Sequence, residues 1–393
     1  MLNLITKPLR ILYAAGPGDV IGTYNHWINR QDDPSQVSVT YSGQFYEVCC
    51  ALDAEGYVIS SYGKKEFLRD DRFTIEHRPL PLCSASGILY HMSQLWYGFR
   101  LIASAVRFKA DIVVIASGTT HWFVLSLFPW LGVQVIPTLH CVLWRKYSPQ
   151  SIAERLILRL GCSLFMSGCT AILTASDDIS EQVTQLTSGQ HQPLVKFLPT
   201  YRRKEFTDMA EPDNKRLPFR VLFAGRIERD KGVFDLLEIA KCISIEGRQD
   251  VQFDLCGEGS ALGPLRLAAR QARFDSFFVC HGHCHKSQMR EIFNRAHAVI
   301  VPTRTDFVEG FNQVVVEAAL SGRPVITSAV CPALSYVKDA VVEVPPNDIK
   351  GYTDALLKLC NDRKFYEEKR QGCLGVQEQF YDISQGWGAA LKA

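Results

Sequence analysis

Two carboxylates eight residues apart, Glu309 and Glu317, lie in the stretch PTRTDFVEGFNQVVVEAALSG, residues 302 to 322. Upstream, HAVIV reads as a short buried strand. Downstream, Phe311, Val314, Val315, Ala318 and Ala319 recur at helical spacing until Gly322 supplies a stop. The unit is strand, loop, helix. The first turn of such a helix leaves backbone N–H groups unpaired and carries about half a positive charge, so residues 310 to 313 form a natural seat for phosphate. If the segment is helical throughout, the two Cα atoms stand about 12 Å apart. A glycosidase acid and nucleophile need carboxyls about 5 to 10 Å apart. The spacing suits one extended ligand held at two ends, with Glu317 on one set of hydroxyls and Glu309 on another. Taken alone, the segment reads equally well as two solvated helix charges.

Cations follow another strand. In FAGRIERDKG a strand ends at Gly225, and Arg226 and Lys231 come next. Open α/β sheets bind ligands at the carboxyl ends of their strands, and a guanidinium fork with an ammonium can neutralise a diphosphate. A solvated loop of mixed charge, with Glu228, Arg229 and Asp230 among them, is the plainer reading of this segment alone. LCGEGS, residues 255 to 260, is a strand with a glycine turn. It is a weak dinucleotide fingerprint, because Gly257, Gly259 and Gly263 do not keep the required spacing. It is better suited to bringing backbone close to a base or ribose. CHGHCHK, residues 280 to 286, invites a zinc reading, but no second ligand pair accompanies it and side chains on a strand alternate instead of converging. His140 follows VQVIPT at a strand's carboxyl end, where it either meets a substrate hydroxyl or is a satisfied core histidine.

Elements that hold these residues alternate along the chain. RILYAAG, YVISSY, DIVVIAS, VQVIPT, AILTAS and LVKFLPT are short apolar runs separated by helical patterns. The alternation restarts after a polar stretch with FRVLFAG, VQFDLCG, FFVC, HAVIV, PVITS and VVEV. Strands alternating with helices imply parallel sheets. The expected division is a first domain at 1–206, a linker at 207–218, a second domain at 219–375 and a helical tail at 376–393, with a cleft between the sheets. A length of 393 residues with 47% hydrophobic content permits two large cores.

A net charge of +2 with 21% charged residues excludes a dominant nucleic-acid footprint. Thirteen cysteines spread thinly read as reduced thiols in a cytoplasmic protein, and the start MLNLITKPLRILYAAG lacks the apolar core of a signal peptide. From Ile112 to Trp144 there is no charged residue, but Gly118, Pro129, Gly132 and Pro137 cut the run into strand-length and short helical pieces instead of one membrane span. The apolar and basic mixture at 96–109 and 152–166 could rest on a membrane surface or face a core.

In combination and order, these segments resemble the retaining glycosyltransferases of family 4, with their GT-B fold of two Rossmann-like, doubly wound parallel-sheet domains facing across a cleft. The resemblance rests on Gly225, Arg226, Lys231 and Gly232; Gly257 and Gly259; Pro302 and Thr303; Glu309, Gly310, Phe311 and Glu317; and Gly322, Pro324 and Val325. It implies that Arg226 and Lys231 hold a donor diphosphate, Glu317 the ribose hydroxyls and Glu309 the hydroxyls of the transferred sugar. Asn312 and Gln313 would lie beside the phosphates, Ser42 and Gly43 would stand for the glycine pair opening the first helix, and His140 would face the donor sugar. No cofactor and no metal are implied beyond the nucleoside-diphosphate sugar itself.

The departures are Asn312 where the family carries glycine, one glycine in place of a pair, a long segment between RILYAAG and Gly43, and Ser335 where an acid is common. The resemblance implies transfer of a hexose to a sugar, lipid-linked or polysaccharide acceptor, with peripheral contact at the inner face of a membrane. A catalytically impaired nucleotide-sugar-binding protein and a GT-B epimerase are the alternatives.

Overall fold

The computed structural model describes residues 7–80, 87–212 and 217–393. The chain forms two compact units. The first comprises residues up to Leu143, Gln150–Thr200 and Ile383–Ala393; the second comprises Trp144–Pro149 and Tyr201–Asp382.

The first unit contains β1 (Arg10–Ala14), β2 (Glu55–Ser60), β3 (Glu66–Arg69), β4 (Phe73–His77), β5 (Ile112–Ala116), β6 (Gln134–Leu139), β7 (Ile172–Thr174) and β8 (Leu194–Lys196). They form one sheet in the order β3-β4-β2-β1-β5-β6-β7-β8. All neighbours are parallel except β3, which pairs antiparallel with β4 at the edge. That hairpin departs from the purely parallel sheet expected. β3 is mostly exposed, so its sequence lacks the apolar run that marks a buried parallel strand. The helices are α1 (Val20–Ile28), α2 (Tyr41–Ala51), α3 (Gly87–Phe108), α4 (Trp122–Leu125), α5 (Ile152–Ser163) and α6 (Asp177–Leu186).

Helix α1 lies inside the segment that the sequence presented as a long loop. Asp19 caps it by accepting from the Gly22 amide, and Val20, Ile21 and Tyr24 bury one side. The Tyr46 hydroxyl of α2 donates to the Val20 carbonyl at 2.9 Å. At the other end of the chain, Trp387 is fully buried in the first unit and donates its indole N–H to Thr138 at 2.9 Å.

The second unit carries β9 (Phe219–Ala224), β10 (Val251–Cys256), β11 (Phe278–Gly282), β12 (Ala298–Val301), β13 (Val325–Thr327) and β14 (Val341–Glu343), all parallel, in the order β11-β10-β9-β12-β13-β14. Helices α7 (Val233–Ile245), α8 (Leu262–Gln271), α9 (Lys286–Arg295), α10 (Gln313–Leu320), α11 (Ile349–Asn361), α12 (Arg363–Gly375) and α13 (Glu378–Tyr381) belong to this unit, and α14 (Trp387–Lys392) to the first. Val221, Phe223, Ile239, Leu255 and Ile300 meet Leu356 and Tyr352 in one apolar core. The order reverses direction at β9 and β12, so the carboxyl ends of these two central strands are the switch point where a doubly wound sheet opens a crevice.

Part of the expected linker, residues 213–216, lies outside the described residues. The part before it is fastened to the second unit. Arg290 donates to the carbonyls of Glu205 and Thr207, and the buried Arg323 donates to Ala210.

Candidate nucleotide-sugar site

A cavity of about 360 Å³ opens in the second unit beyond the ends of β9 and β12, the size of a small-molecule site. Gly225, Arg226 and Lys231 line one side; Thr303, Glu309 and the first turn of α10 line the other, with Glu317 in the wall.

Close backbone approach shapes it. A Cβ on Gly257 would stand 1.8 Å from the Gly225 carbonyl oxygen, and one on Gly232 would stand 2.1 Å from the Pro302 oxygen. Only glycine lets these loops meet, and at φ of 140° and 75° these residues also take backbone conformations that side chains disfavour. Glu228 ties the same loops together by accepting from the amide and hydroxyl of Ser260.

The sequence sent Lys231 and Glu309 to different parts of a ligand; the structure also joins them to each other. Lys231 Nζ stands 2.6 Å from Glu309 Oε2, with Glu309 only 5% exposed. The same oxygen accepts from Thr303 Oγ1 at 2.9 Å and Asn312 Nδ2 at 3.2 Å, and Oε1 accepts from the Gly310 amide at 3.1 Å. Glu309 therefore precedes the helix instead of riding on it, because α10 begins only at Gln313. Asn312 takes φ 29°, a conformation that asparagine tolerates better than most residues. Its side-chain amide, which a glycine would lack, goes to Glu309.

Arg226 forms no ion pair in the described part of the molecule. Its guanidinium lies 5.2 Å from the centre of the Phe307 ring, and Lys231 Nζ lies 3.9 Å from the same ring. Phe307 thus carries both cations on a desolvating aromatic surface. Arg304 pins the loop that presents it through a two-pronged contact with Asp235 on α7, at 2.8 and 2.9 Å.

Glu317 is partly accessible from the cavity, and burial pushes its carboxyl up to about 7. Phe311 packs its ring against Tyr336 and Phe380 and does not line the cavity. Gln313 is exposed at the helix start, and its carbonyl accepts from the Tyr201 hydroxyl at 3.5 Å.

His140 and Gly43 belong to the first unit. The His140 ring lies 4.5 Å from Tyr41 and 5.4 Å from Phe197, and burial lowers its pKa to about 4. Nε2 is 3.2 Å from the Thr138 hydroxyl, whereas the buried Nδ1 has no partner among the described residues. The Gly43 amide is already taken by the capping hydroxyl of Thr40 at 3.2 Å.

In the Cys280–Lys286 cluster the groups go to separate partners. His281 bonds to Asp254 at 2.7 Å and Cys284 to the Gly282 carbonyl at 3.6 Å. Among the described residues no three His, Cys, Asp or Glu side chains gather at metal-binding distance.

Phe307 has no sequence signal: it meets Arg226 and Lys231, which lie far from it in the chain. Glu228, which reads in the sequence only as part of a charged loop, finds its partner Ser260 32 positions on.

Two units built on parallel sheets, one with a cation-lined cavity at its switch point, define the GT-B class of fold. Residues 205–372 match the family described as glycosyl transferases group 1. Mycobacterium tuberculosis glycogen synthase is 26% identical over 147 residues, which cover 37% of this chain and 34% of the relative. The chain thus spans about a third of that relative's length. An alpha-D-kanosaminyltransferase of Streptomyces kanamyceticus is 24% identical over 283 residues, covering 68% of this chain and 72% of the relative. Among solved structures, Anabaena HepE in complex with UDP and glucose superposes with a TM-score of 0.66 at 13% identity, covering 95% of this chain and 96% of the other.

Proposed function

We propose that the chain is a retaining glycosyltransferase that takes a hexose from a nucleoside-diphosphate sugar and passes it to a lipid-linked or polysaccharide acceptor, as in assembly of a cell-surface glycan or exopolysaccharide. It would work in the cytoplasm or at the inner face of the membrane, with the donor as the one small molecule required and no metal ion. The observation that carries this reading is the convergence of Arg226, Lys231 and the start of α10 on one cavity that Glu317 also enters.

In this reading the glycosidic C–O bond breaks with its electron pair passing to the diphosphate oxygen. Arg226, Lys231 and the unpaired amides of the first helical turn meet the charge that develops there. The acceptor hydroxyl attacks from the side the leaving group departs, and its proton passes to the departing phosphate oxygen. Glu309 sits too deep in its pair with Lys231 to attack carbon; it orients sugar hydroxyls and holds Lys231 in place. Glu317 accepts from ribose hydroxyls. UDP and glucose, present in the HepE structure, are the first donor components to test.

The closed Lys231–Glu309 pair supports a second reading, a nucleotide-sugar-binding protein without turnover, in which Lys231 never leaves its carboxylate. A thermal-shift panel of nucleoside diphosphates and their sugars, followed by product analysis with labelled donors, separates the two. Stabilisation by about 2.7 kcal/mol at one hundred times the dissociation constant, with sugar release or transfer, is expected. Stabilisation without sugar loss over long incubation selects the binding protein, and no response to any nucleotide overturns both.

A further inference from the structure

Asn312 uses its side chain in a way its position does not favour. It stands at the N-cap of α10, where asparagine ordinarily turns its oxygen onto an amide of the first turn, yet it makes no such bond. Its φ of 29° and ψ of 80° also lie outside the favoured backbone regions. Strain of this kind persists where the surroundings impose it, commonly at a ligand site.

Hydrogen-bond capacity shows what the side chain is free to do. An ionised carboxylate accepts at about four lone-pair sites, two on each oxygen. Glu309 Oε2 already meets Lys231, Thr303 and Asn312, at 2.6, 2.9 and 3.2 Å, and Oε1 meets the Gly310 amide at 3.1 Å. One site on Oε1 is left, so Glu309 by itself can hold a single sugar hydroxyl. Because the carboxylate only accepts, it also fixes the Asn312 amide, with Nδ2 towards Glu309 and Oδ1 turned away. Oδ1 has no partner among the described residues and is not sealed in the interior, and Asn312 lines the donor cavity. Since Oδ1 does not cap the helix, it leaves the first-turn amides to phosphate.

We infer that the Asn312 carboxamide reads the transferred sugar: one sugar hydroxyl donates to Glu309 Oε1 and a second to Asn312 Oδ1. The donor that fits is a neutral sugar with two free hydroxyls at that end. A sugar lacking one of them leaves an acceptor oxygen of the cavity unpaired and binds more weakly. Glycine, expected at this position from the resemblance, offers no such oxygen. The inference rests on the donor reading of the cavity.

The test is calorimetric titration of the full chain with UDP, ADP and GDP and with their glucose, galactose and mannose conjugates. For the tightest conjugate, the readout is its affinity relative to its own nucleotide, since contacts to base and phosphate cancel in that ratio. Asn312→Gly, which suits the positive φ, should lower the ratio about tenfold, as expected for one lost hydrogen bond. Thr303→Val removes another donor from the same Glu309 oxygen but leaves Oδ1 in place, and should lower it less than about threefold. Equal losses in the two variants would mean that Asn312 acts only through Glu309, and an unchanged ratio in Asn312→Gly would mean that it has no part in sugar choice. Either result overturns the inference and leaves the donor reading standing, as does wild type that binds a nucleotide but none of its conjugates. Wild type that binds none of the nucleotides overturns both.

Discussion

Replacing Glu317 with glutamine should stabilise the protein at high pH and leave it unchanged in acid. Burial alone lifts this carboxyl from an ordinary 4.5 to about 7, with no cation opposing it. Between those values the unfolded chain releases a proton that the folded chain retains. Unfolding free energy therefore falls by up to about 1.4 kcal/mol for each pH unit crossed. The penalty is absent below about 4.5, where both states are protonated, and complete above about 7. The full window corresponds to about 3 kcal/mol, and access of cavity water to the carboxyl reduces this to about 2 kcal/mol. Urea unfolding of wild type and Glu317→Gln at pH 4.5 and 8.5 measures it: near-coincident curves in acid, and the variant more stable by about 2 kcal/mol in base. Donor binding should report the same group. Ribose hydroxyls donate to an ionised carboxylate, so wild-type affinity should rise through pH 7 and the glutamine variant should show no such step. An equal stability difference at both pH values, or a variant less stable in base, would refute the reasoning.

Other substitutions test the remaining walls. Lys231→Met leaves Glu309 a buried carboxylate with three donors but no cation, and should cost about 3 kcal/mol in chemical unfolding; adding Glu309→Gln should recover most of it, and neither variant should transfer sugar. Gly257→Ala should lower stability by at least about 2 kcal/mol and abolish nucleotide-induced stabilisation in thermal shift, since its Cβ would strike the Gly225 carbonyl. Asn312→Gly should stay within about 1 kcal/mol of wild type, because relief at φ 29° offsets the lost amide contact, whereas Asn312→Val should cost about 2 kcal/mol. The His140 imidazole should titrate near 4 by NMR. Stability contributed by keeping it neutral is then lost as pH falls from about 6.5 toward 4; a resonance titrating near 6.5 would show a ring open to water.

The fold was legible where the sequence is locally repetitive. FRVLFAG, VQFDLCG and HAVIV are predominantly apolar runs bounded by turns, and each forms a parallel strand because burial on both faces favours hydrophobic residues. Arg226 and Lys231 could be named because strand ends in such sheets are where ligands bind, and Glu317 because it is one of two carboxylates set around a helix start. Helix α1 was missed because its signals lie in a stretch crowded with Gly, Pro, Asn and Asp, where turn chemistry masks an apolar side of only a few residues. The β3 strand was missed for the opposite reason, a polar sequence held in place by its partner β4.

What local composition and order decided, then, was the alternation of strands and helices, the two parallel sheets and the membership of one cation-and-carboxylate set. Tertiary structure alone decided how that set is wired: Lys231 to Glu309 across 78 positions of chain, both cations over Phe307, and Asn312 turned to the same carboxylate. Periodicity reports which side of an element is buried, because burial acts on neighbours along the helix or strand. Pairing between loops depends on distances set only when β9 and β12 lie side by side, and no short-range pattern encodes that.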